Sequence, residues 1–375
     1  MIKNKIIRKV MSFLSNYMNE EEKKTYVNDI SKSYNKLSTK ISLTKVQEQE
    51  IQDFFSAKLG YKIPLQWHRY FYSRTSRYSK LYIPTSEYKV NIVGRLNVYP
   101  LKRAYTDKNV SDIILPASIQ PKVFLKNMNG YFYFEGKPVT KDQAISLSSN
   151  LGEVIIKPSL TARGKGVAKH YLENGVSKDK GISIAKIFDE YGQDFLVQEC
   201  VHQHKDMAAL NPTSLNTLRI MTFRSGMDIK VIYSVVRIGR EGAVIDNESA
   251  GGISTLINSN GQLGKYAYGA PGIDKVEFTD SGIRLMDYVI PSYDSAIKLV
   301  KDTHYLLPFF DLLAWDVAIN EDGKPVLIEF NMTPDLSQSA NGPALGEYTE
   351  EIIEKAMSRK NTYSEFGKKF MWKSF

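Results

Sequence analysis

Two periods of hydrophobic and polar alternation run along this chain, and the switch between them lays out its elements. Residues 1–19 set Ile2, Ile6, Val10, Phe13, Leu14 and Tyr17 at helical spacing, which predicts an amphipathic helix, docked on its own domain or lying on a membrane surface. Residues 19–73 continue the helical pattern, with Glu20-Glu21-Glu22 as a helix start and Gly60 as a break. From 81 to 100 the apolar runs shorten between Pro84 and Pro100 and predict strands. Residues 154–157 and 167–171 predict two strands around a loop, and 195–201 a third. Residues 218–223 and 229–238 add two more, joined at Ser225-Gly226, before a helix over 291–305.

The most informative stretch is 311–331. Two apolar runs, 312–319 and 326–330, flank Asn320-Glu321-Asp322-Gly323-Lys324, and Asp-Gly is a strong hairpin signal. With Asp322-Gly323 as a two-residue turn, Asp316 faces Glu329 and Asn331 shares their face. Pro325 must then sit where no ladder hydrogen bond is needed. Carboxylates opposite each other repel unless something positive lies between them. A hard divalent cation that also binds phosphate suits this oxygen-only set; the alternative is a hairpin with a solvated acidic face.

Composition narrows the partners. A chain of 375 residues with 42% hydrophobic and 24% charged residues predicts a soluble protein of two or three subdomains. No run is long and apolar enough to span a membrane and no secretory signal is evident, so a cytoplasmic protein is expected. The single cysteine, Cys200, rules out an intrachain disulfide and fits a reducing compartment. Fifty Lys and Arg against 41 Asp and Glu, a net charge of +9, favour anionic partners. Lys3, Lys5, Arg8 and Lys9, with no acid before Glu20, make the N-terminus a candidate for peripheral membrane contact. Tyr70, Phe71, Tyr72 and Tyr78 alternate with Arg69, Arg74, Arg77 and Lys80, but a core edge with a basic rim is preferred to nucleic-acid stacking, and no nucleic-acid partner is expected.

Several motifs carry candidate chemistry. Lys157 ends a buried strand and is followed by Ser159, Gly164, Lys165 and Gly166, a loop able to bring backbone N–H groups and charge against phosphates, though not in Walker order. Cys200, His202 and His204 alternate and could share one face to bind zinc, but a fourth ligand is not apparent and the spacing matches no usual structural zinc pattern; a strand edge meeting a flat ligand is the preferred reading. Arg219 and Arg237 lie inside apolar strands, where each must pair with an acid or aim at an anionic ligand. The turn from Asp246 through Asn247 to Gly251-Gly252 would let backbone approach a substrate closely.

Taken in order, Asp107-Lys108, Lys157 with its glycine loop, the 198–201 strand, and Asp316, Glu329 and Asn331 resemble the ATP-grasp ligases, including D-alanine:D-alanine ligases. More narrowly, Ser214, Asn216, Thr217 and Arg219, then Arg237 and Gly239, Asp246-Asn247, Gly251-Gly252 and Trp315-Asp316 resemble the sugar-transfer-associated ATP-grasp family, over residues 81–357. The resemblance implies an α+β fold in which two α+β subdomains grip ATP, with a helical N-terminal region at 1–80. Subdomains at 81–200, with the lid and phosphate loop, and at 201–358, with the metal site, would precede a basic tail at 359–375.

It also implies roles. Lys108 and Lys157 would neutralise ATP phosphates beneath the 159–166 loop. Gln198, Glu199 and Val201 would edge the adenine, and Asp206 would meet the ribose. Asp316, Glu329 and Asn331 would hold two Mg²⁺, with Glu329 bridging. Arg219, Arg237 and Asn247 would serve catalysis, and Gly251 and Gly252 would position the acceptor. Ala314 stands where D-alanine ligases keep an arginine, which speaks against a dipeptide product. The activity implied is an ATP-dependent carboxylate–amine ligase working through an acyl phosphate and releasing ADP and phosphate. It would attach an amino acid or amine to an acidic sugar, free, nucleotide-linked or within a glycan, in capsule or other polysaccharide biosynthesis. The alternatives are a non-catalytic nucleotide-binding partner of a glycosyltransferase and an amino-acid or peptide ligase unrelated to glycans.

Overall fold

The computed structural model describes residues 2–161, 164–240, 242, 246, 251–271 and 275–362, with the side chains of 2–12 and 15 outside that description. The basic set Lys3, Lys5, Arg8 and Lys9 therefore lies outside the described side chains. The chain begins with three helices, Ile2–Asn35 (α1), Lys45–Leu59 (α2) and Gln66–Thr75 (α3). Glu20-Glu21-Glu22 do not start a helix but lie inside α1, where Lys23 and Lys24 answer Glu20 and Glu21 one turn away at 3.1 and 2.7 Å. The second half of α1 docks Tyr26, Val27, Ile30 and Tyr34 on Trp67, Tyr70, Phe71 and Tyr82. A capping box of Thr44 and Gln47 opens α2, and Gly60 closes it. Among the described residues no helix is long and apolar enough to cross a membrane.

Residues 81–100 are not strands. Thr85–Glu87, Tyr88–Ile92 and Val93–Leu96 are successive helical turns, the middle one a π-turn. Tyr88, Ile92, Val93 and Leu96 form one buried face, and their i, i+4, i+5, i+8 spacing is a helical period. Pro84 and Pro100 delimit these turns instead of interrupting strands: Pro84 caps the first, and Pro100 lies in the 3₁₀ turn Tyr99–Leu101 that follows.

Two antiparallel sheets follow. The first contains Val123–Met128 (β1), Tyr131–Phe134 (β2), Lys137–Val139 (β3), Gly152–Pro158 (β4), Ala168–Glu173 (β5), Val176–Ser177 (β6), Ile182–Ser183 (β7) and Phe195–Glu199 (β8). Their order is β3-β2-β1-β8-β4-β5-β6-β7, and Phe188 of the helix Ile184–Tyr191 packs with Phe132 and Phe195 of the sheet. The second sheet contains Thr217–Ser225 (β9), Asp228–Ile238 (β10), Ile253–Ile257 (β11), Leu312–Ile319 (β12) and Pro325–Asn331 (β13), in the order β11-β10-β9-β12-β13. The helix Tyr293–His304 covers one of its faces, and α2 with the helix Thr349–Met357 covers the other. Every residue of β12 is consequently buried, which is why its sequence shows an unbroken apolar run around Asp316.

The β12–β13 hairpin reaches its expected pairing by an unexpected path. Ile319 pairs with Pro325, Asn320 N–H donates to Lys324 O at 2.9 Å and Gly323 N–H to Asn320 O at 2.9 Å, so the loop has three residues, not two. Gly323, at φ +77°, takes the left-handed conformation such a loop demands. The loop shifts the register by one residue, and a bulge between Leu327 and Glu329 shifts it back. Asp316 thus faces Glu329 because two departures cancel.

Candidate active site

A cleft of about 780 Å³ takes its walls from both sheets. From the first sheet and the turns before it come Lys108, Lys157, Leu160, Thr161 and Gln198; from the second come Arg219, Arg237, Glu329 and Asn331. Neither sheet alone carries the set.

On the first wall, Lys157 ends β4 and is 7% exposed. Burial, and then the neighbouring Lys108, push its ammonium down to about 8, against the attraction of Glu329. Lys108 is held from two directions: its N–H donates to Ser159 O at 3.1 Å and its Nζ to Thr161 O at 2.6 Å. The hydroxyl of Ser159 is buried with no hydrogen-bond partner among the described residues. Gly166, at φ +76°, lies so close to Pro158 that a Cβ there would meet its ring at 2.8 Å. Only glycine fits where the loop folds back on the strand end. Gly164, Lys165 and Gly166 flank the cleft without lining it, and Ala162 and Arg163 lie outside the described residues.

On the second wall, Arg219 of β9 stands directly across the ladder from Asp316 of β12. Its Nε and Nη2 donate to the two carboxylate oxygens at 2.7 and 2.6 Å, and Arg237 Nη1 lies 3.5 Å from the second of them. This is the bidentate geometry a guanidinium makes best. Burial pushes the Asp316 carboxyl up, but Arg219 and then Arg237 overcome it and hold the acid at about 2. Burial also works against the Arg219 charge, and Asp316 keeps that pKa above its ordinary value. Both arginines, not Asp316, line the cleft. Behind Arg237, its ladder partner Thr217 donates both N–H, at 3.0 Å, and Oγ1 to the buried Asp246, whose carboxyl is raised by burial to about 6.

Glu329 and Asn331 project into the cleft from β13, with Asn331 Nδ2 3.4 Å from Glu329 Oε1. The donors are carboxylate and amide oxygens, chemistry that fits a hard divalent cation such as Mg²⁺. Asp316 lies across the ladder from Glu329, and each of its oxygens keeps a lone pair beyond the one that Arg219 uses. Among the described residues no group of three or more His, Cys, Asp and Glu is gathered to hold a metal. His202 Nε2 lies 3.3 Å from Glu153 Oε2, and His204 Nδ1 accepts from Asp206 N at the start of a short helix, so both imidazoles serve local contacts.

The remaining expected residues divide. Gln198 lines the cleft and pairs in β8 with Ile155 and Val123. Glu199 turns to Lys122 N at 2.8 Å; it, Val201 and Asp206 stand outside the lining. Gly251 and Gly252 lead into β11, also outside the lining, and Asn247 lies outside the described residues. Inspection of the sequence missed Tyr26, Lys89, Tyr99, Lys102 and Thr333, all of which line the cleft. No periodicity marks them, because they come from separate elements that meet only in three dimensions.

The chain matches the sugar-transfer-associated ATP-grasp family over residues 89–354, well over half its length. No match was found among curated protein sequences. Among solved structures it is similar to a D-alanine–D-alanine ligase from Bacillus anthracis, at 13% identity over 68% of this chain and 67% of that one, with a TM-score of 0.39. It is also similar to D-alanyl-alanine synthetase A from Vibrio cholerae, at 14% identity over 68% and 65% of the two chains and a TM-score of 0.38. The ATP-grasp ligase PsnB in complex with its minimal precursor follows at 12% identity, 70% and 64% coverage and 0.38. The chain therefore spans about two thirds of the length of these proteins.

Proposed function

The chain belongs to the sugar-transfer-associated ATP-grasp family, and from that premise we propose that it is an ATP-dependent carboxylate–amine ligase joining an amino acid or amine to an acidic sugar. The observation that carries the reading is the convergence of four cations, Lys108, Lys157, Arg219 and Arg237, with Glu329 and Asn331 on one cleft. A carboxylate is a poor electrophile, and phosphorylating it makes it reactive. The acid's oxygen attacks the γ-phosphorus of ATP and the bond to ADP breaks. The amine nitrogen then attacks the acyl carbon, phosphate leaves with its bonding pair, and the amine gives up a proton.

Such chemistry asks the protein chiefly for alignment and charge. Lys108 and Lys157 neutralise the polyphosphate. Arg219 and Arg237, fixed by Asp316, hold the reacting carboxylate and stabilise the oxyanion that forms at its carbon. Glu329 and Asn331, with Asp316 through the lone pairs that Arg219 leaves open, would hold Mg²⁺, which supplies further neutralisation of phosphate oxygens when bound. Gln198 and the β8 edge would receive the adenine, and Asn247 with Gly251-Gly252 the acceptor amine. The intact cation set argues against a non-catalytic nucleotide-binding role.

Incubation with Mg²⁺, ATP, a pool of uronic acids and amino acids, and hydroxylamine tests the reading. ADP formed only with an acid present, together with a hydroxamate, is the expected result. AMP in its place means adenylation and overturns the mechanism.

Lys157 supplies a second expectation. A polyphosphate beside it favours the charged amine, so its pKa must rise from about 8 on nucleotide binding. Binding of AMP-PNP near pH 8 should therefore take up protons and weaken as pH climbs past that value. Calorimetry in buffers of different ionisation enthalpy reads the uptake; if Lys157→Met takes up as many protons as the wild type, another group is responsible.

A further inference from the structure

Asn97 is 2% exposed and leaves the helical turn Val93–Leu96 in extended conformation, at φ −112° and ψ 135°. A buried carboxamide costs free energy unless its oxygen and both its N–H groups are met, and here they are. Its Oδ1 accepts from Leu312 N–H at 3.0 Å, and its Nδ2 donates to Leu312 O at 2.7 Å and to Met332 O at 2.5 Å. Leu312 is the first residue of β12, and Met332 follows the last residue of β13. At Leu312 the amide meets N–H and C=O together, as a neighbouring strand would. Its second N–H ties the exit of β13 to the entry of β12.

The place of this clamp bears on the cleft. Met332 is next to Asn331, and both line the cleft with Glu329. The main chain that leaves Asn97 runs instead to the first wall. Val98 N–H donates to Phe309 O at 3.0 Å, and the chain then reaches Lys108 through the turn Tyr99–Leu101 and the short helix Lys102–Thr106. Asn97 thus stands where the segment bearing Lys108 departs from the hairpin bearing Glu329 and Asn331. Its backbone is held as well: its N–H donates to Val93 O at 2.8 Å, and Thr362 Oγ1 donates to its carbonyl at 2.9 Å while accepting from Tyr99 N–H at 3.1 Å.

We propose that Asn97 is a positioning residue of the candidate active site, its amide fixing the end of β13, and with it Asn331 and Glu329, against the lysines of the opposite wall. The proposal rests on the ligase reading and deepens it by naming what holds the metal-binding residues in place. Asn97 acts through Leu312 and Met332 O and meets neither nucleotide nor metal itself. Packing alone does not call for an amide here, because its neighbours Val93, Leu96 and Leu312 belong to an apolar cluster. Two donors and an acceptor at this side-chain length are what a carboxamide alone supplies. A hydrogen bond that orients a metal ligand from outside the coordination sphere commonly governs metal affinity by ten- to a hundredfold, roughly.

The test measures Mn²⁺ binding by relaxation enhancement in the presence of AMP-PNP, for the wild type, Asn97→Ala and Asn97→Asp. Both variants should weaken Mn²⁺ by about tenfold or more, while AMP-PNP affinity without metal stays within about twofold of wild type. Asn97→Asp is the sharper variant, because it keeps the volume and the acceptor and loses the two bonds to Leu312 O and Met332 O. Mn²⁺ bound by either variant as tightly as by the wild type overturns the proposal. So does a loss of metal-free AMP-PNP affinity equal to the loss of Mn²⁺ affinity, which marks general damage. If thermal unfolding shows that neither variant folds, Thr362→Val decides. It releases the Asn97 carbonyl from its C-terminal contact and should weaken Mn²⁺ by about threefold, the measure of one neutral hydrogen bond; an unchanged value overturns the proposal. A parallel assay of acid-dependent ADP at limiting Mg²⁺ separates the two readings. Weakened Mn²⁺ in the variants, with no ADP from the wild type, overturns the ligase and keeps Asn97 as the positioning residue of a nucleotide–metal site. ADP formed equally by wild type and variants keeps the ligase and overturns the role of Asn97.

Discussion

Glu329→Gln is expected to lower acid-dependent ADP formation by about 10³-fold or more. The substitution keeps the shape of the side chain and removes its charge from the cleft wall, where Glu329 projects beside Asn331. Metal-assisted neutralisation of a phosphoryl group contributes several kcal/mol, and about 4 kcal/mol corresponds to the stated loss. Two readouts separate this cause from general damage. Mn²⁺ relaxation enhancement in the presence of AMP-PNP should fall with the activity. The Lys157 amine, which Glu329 draws toward its charged form, should titrate below about 8. Turnover close to wild type with unchanged Mn²⁺ binding removes Glu329 from the proposed metal set.

Asp316→Asn is expected to produce the second large effect, this time on folding. Asp316 and Arg219 are both buried and share two charge-assisted hydrogen bonds at 2.7 and 2.6 Å. Removing one partner leaves a charge buried without its counterion, a loss of about 3–5 kcal/mol. Arg219→Met should cost less, because Arg237 still lies 3.5 Å from the carboxylate. The double variant Asp316→Asn, Arg219→Met should regain part of the loss, because the Asp316 and Arg219 charges are removed together and Arg237 alone loses its contact. Thermal unfolding of the four proteins closes the cycle; a double variant that loses the sum of both single losses shows that the two side chains do not act as a pair.

Both predictions concern β12 and β13, the stretch whose pattern was plainest in the sequence. Its two apolar runs and its Asn320–Lys324 turn announced a hairpin with Asp316 facing Glu329, and the strands around Lys157, Gln198, Arg219 and Arg237 were also evident from apolar runs. Local rules suffice there because strand period and turn chemistry are properties of a few consecutive residues. They failed over 81–100, where two prolines at the boundaries hid a helical spacing of Tyr88, Ile92, Val93 and Leu96. They also failed to number the hairpin loop, which has three residues, its register shift being cancelled by the bulge between Leu327 and Glu329.

Family membership was determined by the sequence alone, because motif order and spacing along the chain carry it, and the same motifs supplied the residues proposed to meet phosphate and metal. Tertiary structure decided what those residues face. It set Asp316 against Arg219 across a ladder between strands almost a hundred positions apart, a pairing that no local period encodes. It also closed the cleft with Tyr26 from the first helix and with Lys89 and Lys102 from turns far along the chain. Contacts of that range depend on how whole elements pack, and the energy that fixes them is the burial of apolar faces whose partners are chosen only when the chain has folded.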